Sequence, residues 1–130
     1  MAHIDQNITG ADKRWFIGED KILRFTIYTS EAETAIQDVS GYALAFDLRK
    51  GVDDSAALIT KTTGAGDITI TGTYNSAPGT NTQKVNVAIA DTDTASLKAG
   101  DYEYSLKRTD DGSETVLVEG TATLLAATLK

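Results

Sequence analysis

The residues of this chain best placed to carry chemistry are close acidic pairs: Glu19/Asp20, Asp53/Asp54, Asp91/Asp93 and Asp110/Asp111. Two carboxyls can hydrolyse a glycosidic bond when they face each other across a cleft and one is held protonated. These pairs all fall in segments that read as turns, where an aspartate accepts hydrogen bonds from nearby backbone and stays solvated. Calcium also takes loop carboxylates, but no segment has the spaced Asp, central Gly and final Glu of an EF-hand loop. His3 is the sole histidine, and no nucleophile or orienting carboxylate is fixed beside it, so a triad cannot be argued. Gly64-Ala65-Gly66 lacks the Lys-Ser/Thr ending of a phosphate loop and reads as a connection between strands. The expectation is a non-enzymatic protein with no catalytic, metal-binding or cofactor-binding residues.

Composition narrows the partners. The 130 residues suggest one domain, and their net charge of −7 argues against a reader of phosphate backbones, which needs a cationic face. Lys13, Arg14, Lys21 and Arg24 gather around the first strands, where they suit a solvated face or an acidic neighbouring subunit. There is no Cys, which removes disulfides, thiolate nucleophiles and Cys-ligated zinc together. No run approaches the roughly 18 apolar residues of a membrane-spanning helix, and no apolar run follows Met1 as in a secretory signal. Neither nucleic acid nor membrane insertion is expected.

Residues 1–13 are polar with isolated Ile4 and Ile8, and read as an N-terminal arm that is frayed or folded against a partner. Residues 14–130 read as the domain. Alternation in Leu23-Phe25-Ile27, Leu44-Phe46-Leu48, Val85-Val87-Ile89 and Tyr102-Tyr104-Leu106 marks half-buried strands. Shorter strands are expected at Trp15–Ile17, Ala57–Thr62 and from Ile68. The last strand, about Glu114 to Leu125, places Val116, Val118, Ala122 and Leu124 on one face, with Gly120 suggesting a bulge or close approach. Asp91–Ala99 is the one helical turn, with Asp93 or Thr94 as its cap. Asp111-Gly112 centres a hairpin turn, and residues 72–82 form the loop expected to be most mobile. Strands with one apolar face need a second layer, which two packed antiparallel sheets provide; a closed barrel is the competitor.

Four segments in order resemble the small Ig-like domains of tailed bacteriophages, in particular the N-terminal domain of the baseplate upper protein family of lactococcal phages. They are Gly18-Glu19-Asp20 with Leu23 and Phe25; Asp38-Val39-Ser40-Gly41-Tyr42 running on through Phe46 to Arg49-Lys50; Leu58 to Ile70; and Ala99 to Tyr104 with Thr109–Gly112 and Val118–Thr123. The resemblance implies an all-β, Ig-like antiparallel β-sandwich of about seven to eight strands, with one short helical turn and the N-terminal arm. It implies a structural protein of a tailed-phage virion, assembled in the host cytoplasm, a homo-oligomer docking on other virion proteins as a tail or baseplate adaptor. With the sequence ending at Lys130, a shaft and receptor-binding head are not expected. Decoration of the capsid, or a place at the head–tail connection, is the alternative. A carbohydrate- or cell-surface-binding module is the second alternative, for which Tyr28, Tyr42, Tyr74, Tyr102 and Tyr104 are the whole supply of tyrosine.

Six residues are the expected points of interaction. His3, Ile4 and Ile8 are the arm's distinctive side chains, and Tyr74 is the one aromatic of the 72–82 loop. Trp15 and Phe16 are adjacent on a strand and so point to opposite faces. Both can be buried only if each side is covered, by the core, by the arm or by a partner.

Overall fold

β-branched and aromatic residues at every second position, interrupted by Gly and Asp, dictate short strands with one wet and one dry face. The structure, a computed structural model, describes residues 4–5, 15–29, 34–51 and 56–126. Its strands are β1 (Ile4–Asp5), β2 (Trp15–Phe16), β3 (Lys21–Phe25), β4 (Leu44–Arg49), β5 (Ile59–Thr62), β6 (Ile68–Thr71), β7 (Lys84–Ile89), β8 (Gly100–Arg108) and β9 (Thr115–Leu125). One helical turn, α1 (Asp91–Thr94), separates β7 from β8.

The strands form two sheets, β1-β9-β8-β4-β5 with β2 also on β9, and β3-β7-β6. All the longer pairings are antiparallel, while β1 and β2 run parallel to β9. Counting β3 as strand B, this order is G-F-C-C′ facing B-E-D, the immunoglobulin arrangement. The expected Ig-like sandwich is therefore what the chain forms. The segment Ile4–Asp5, assigned to the arm by sequence, adds a short strand to its own sheet.

The expected alternation holds in β3, β4, β7 and β8, whose apolar faces meet between the sheets. At the centre Phe46 and Tyr104 of one sheet meet Phe25 of the other, with ring centroids 5.9 to 6.4 Å apart. These rings occupy the inter-sheet middle that a disulfide and a tryptophan fill in antibody domains. β4 is buried on its outer face too. There Asp47 is 6 % exposed, held by Arg49 at 3.3 Å and Lys107 at 3.4 Å. The aliphatic stems of long cations cover such a central strand while their charged ends stay near water.

β9 departs from strict alternation. Its register against β8 slips between Leu106 and Lys107, so Leu106 faces Val118 while Lys107 faces Val116. Leu117 is the extra residue of a β-bulge, and a bulge turns consecutive side chains to one side. Leu117 and Val118 are accordingly both buried, and Val116 is left 37 % exposed. The inward position expected for Val116 is thus taken by Leu117. The bulge lies three residues before Gly120, which pairs opposite Tyr104.

The entry to β8 is fixed by a tyrosine corner. Tyr102 is buried, and its hydroxyl donates to the Lys98 carbonyl at 2.6 Å, four residues upstream at the E–F turn. Lys50 Nζ sits 4.6 Å from the same ring and donates to the Asp101 carbonyl. Tyr102→Phe is expected to cost about 1 kcal/mol, the usual net value of such a bond. Urea unfolding should show this as a lower midpoint with an unchanged slope.

Candidate docking surface

Three connections meet at one end of the sandwich: residues 26–29 and 34–43 between β3 and β4, residues 72–83 between β6 and β7, and the hairpin 109–114. Their side chains are tied to one another rather than left loose. Tyr74 Oη donates to the Ile36 carbonyl at 3.1 Å, and the Ile36 amide donates to the Ser76 carbonyl at 2.9 Å. Gln37 Nε2 donates to Tyr42 Oη, and the Arg108 guanidinium lies 3.8 Å from the centre of the Tyr42 ring. Gln83, buried just before β7, accepts from the Val39 amide and donates to Asp38 and Ser40. The loop 72–82 is exposed, but its own bonds shape it: Asn81 Oδ1 accepts the Asn75 amide and Asn75 Oδ1 the Ala77 amide.

The acidic residues of this end are turn-formers. The Ser40 hydroxyl at 2.6 Å, the Gln83 amide and the Ser40 N–H hold the Asp38 carboxyl below the usual carboxylate range. Arg108 at 2.8 Å, together with the Ala43 N–H, does the same for Asp110. At the opposite end, Glu19 accepts the Phe16 amide and Asp20 accepts the Asp91 amide. Asp53 and Asp54 lie outside the described residues. No group of three or more potential metal ligands occurs among the described residues.

Asp93 has a part that sequence alone did not show. Burial pushes its carboxyl up, but Lys61 at 2.8 Å and the Ala90 N–H at 2.7 Å outweigh this and leave it below its ordinary value. Lys61 stands opposite Phe46 on the inward face of β5, and its charge reaches the connection that carries the chain from β7 of the facing sheet to β8. An inward-pointing lysine on an edge strand also discourages a foreign strand from pairing there. The visible signal was a lone Lys in the Ile59-Thr60-Lys61-Thr62 alternation. Thr94 does not cap its own helix; it is buried, and its hydroxyl accepts the Gly18 amide at 2.8 Å.

These shifts make an acid-stability prediction. Asp38, Asp93 and Asp110 lose their protons more readily folded than unfolded, so their contribution is complete above the unfolded carboxylate pKa of about 3.9. It is lost as pH falls through the lower folded values. Thermal unfolding midpoints should therefore be flat from neutrality to about pH 5 and decline below about pH 4. A midpoint unchanged down to pH 2 would contradict this.

Of the six expected interaction residues, the four described ones separate. Trp15 is fully buried in the inter-sheet core, opposite Leu124 of β9. Its Nε1 has no hydrogen-bond partner among the described residues. Phe16, in register with Leu125, is half-buried on the other face. Tyr74 stands at the loop end, 36 % exposed. Ile4 is placed by its backbone on β9 beside Val118, while His3 and Ile8 lie outside the described residues. The structure therefore makes Trp15 a core residue and puts Tyr74 and β1 at separate places on the molecule. No helix is long and apolar enough to cross a membrane among the described residues. Comparison with protein-family models and with curated proteins gave no match.

Proposed function

We propose that this chain is a non-enzymatic structural protein of a tailed-phage virion. It forms a homo-oligomer and docks on other virion proteins as a tail or baseplate adaptor, in preference to capsid decoration or the head–tail connection. The observation that carries this reading is the coincidence of the resembling segments with the framework of the sandwich. Gly18-Glu19-Asp20 is the turn between β2 and β3, Asp38–Tyr42 anchors the loop end, and residues 99–104 form the tyrosine corner. The virion setting comes from the resemblance. A docking role is supported by chemistry, because the carboxylates of Glu19, Asp20, Asp38, Asp93 and Asp110 are engaged with backbone or cations, and the shifted ones among them move toward the ionised form. A general acid needs the opposite shift.

The tyrosines favour this over a glycan platform, which needs bare rings. Tyr102 and Tyr104 are buried and Tyr42 is covered by Arg108, which leaves Tyr28 and Tyr74 as single, partly exposed rings, the Tyr74 hydroxyl tied to Ile36. The test is sedimentation of the purified chain, with co-sedimentation against purified phage tails and capsids. An oligomer that binds tails is the expected result, and binding to capsids instead would move it to the head. A strict monomer with affinity for neither would overturn the reading.

A further inference from the structure

We propose that β1 is an exchangeable strand, with Ile4–Asp5 of one copy taking the parallel place on β9 of a neighbouring copy. This deepens the oligomeric part of the reading above and rests on it. Both N-terminal strands lie parallel on β9: Ile4 and Asp5 beside Val118 and Glu119, then Trp15 and Phe16 beside Leu124 and Leu125. From Glu119 to Leu124, β9 advances about 17 Å at strand spacing. The stretch from Asp5 to Trp15 can span roughly 33 Å when extended, about twice that distance. The covalent tether therefore does not oblige β1 to use its own β9.

Trp15 and Phe16 hold the chain to β9 by a ladder of their own, with Trp15 in the core, so β1 is not the sole attachment of the N-terminal region to this sheet. The ladder is short, and parallel pairing is slightly weaker per residue than antiparallel. The same bonds form on either edge, so the outcome depends on concentration. A tether of this length supplies an effective concentration of the order of millimolar, which copies held side by side in an assembly match. The other outer edge of this sheet, β5, carries the inward Lys61 held by Asp93, which discourages added strands. β9 is the edge already built to accept one. Reciprocal exchange gives two-fold pairs, and sequential exchange gives rings.

The absence of cysteine makes the test direct. Asp5 and Glu119 are in register, and Glu119 is exposed, so a disulfide between these positions reports the pairing. Chains carrying Asp5→Cys are mixed with chains carrying Glu119→Cys, at about 1 mM to match the tether. After oxidation, a disulfide-linked heterodimer should exceed a control with Thr60→Cys on β5 by about fivefold or more. The doubly substituted chain, oxidised when dilute, should close on itself. If it closes while the mixture yields no excess heterodimer, the strand stays at home and the proposal fails. If neither crosslinks, the β1–β9 register itself is wrong and the proposal fails with it. Either failure leaves binding to tails or capsids as a separate measurement.

Discussion

Phe46→Ala should lower stability by about 3 to 5 kcal/mol, the range for emptying a large aromatic site in a packed core. Phe46 is fully buried at the middle of β4, between Lys61 of β5 and Leu106 of β8. Its ring lies 6.4 Å from Phe25 of the facing sheet and 6.0 Å from Tyr104, so three rings share one volume. Alanine removes the side chain that both others contact, and sheets held by ladders on either side cannot collapse to fill the gap. For a chain of this size the unfolding midpoint should fall by about 10 °C or more. Phe46→Leu, which keeps much of the volume, should lose far less, about 1 kcal/mol. Equal losses in the two variants would mean that volume at this position is not what holds the sheets together.

Gly72→Ala is expected to cost about 2 to 4 kcal/mol, although residue 72 is exposed and nothing apolar is removed. Gly72 has φ +83°, a conformation that side chains resist. A β-carbon there would lie 2.1 Å from the Thr82 carbonyl oxygen and 2.6 Å from its carbon. Those atoms are backbone at the neck of the loop. The Thr82 amide donates to Thr73 and the Thr73 amide to Thr82 Oγ1, with Thr71 and Lys84 paired just beyond. Making room means opening the β6–β7 hairpin. Gly112 is the control: its φ is +79°, but an added β-carbon meets nothing within 4 Å. Gly112→Ala should therefore show only the backbone penalty, about 1 kcal/mol. Urea midpoints of the two variants separate strain from collision, and indistinguishable midpoints would sink the collision argument.

The resistance of residue 72 also bears on the loop end. A sequence of Gly, Thr, Tyr, Asn, Ser and Pro between two strands reads as mobile because each residue tolerates turns. Its place in the fold comes from bonding to partners far along the chain, above all Tyr74 and Ser76 to Ile36. Composition describes what a loop tolerates, whereas its shape follows from the carbonyls and amides that the fold brings near it.

Periodicity made the layers of this molecule readable in advance. A period of two separates inward from outward side chains wherever strands are regular, so Leu23, Phe25, Leu44, Phe46, Leu48, Val85, Val87, Tyr102 and Leu106 could be assigned to the interior from their spacing. Turn chemistry was similarly local, since an Asp or Gly satisfies or bends backbone within a few residues. Long-range choices had no such signature. The bulge that substitutes Leu117 for Val116 depends on the register against β8, and the depth of Trp15 depends on β9 and the facing sheet. Lys61 meets Asp93, and Tyr42 meets Arg108, only after strands distant in sequence have paired. Local pattern reports the backbone's repeat; which side chains become neighbours is settled by how the sheets stack and align, because contact energies between distant segments exist only once the chain has closed upon itself.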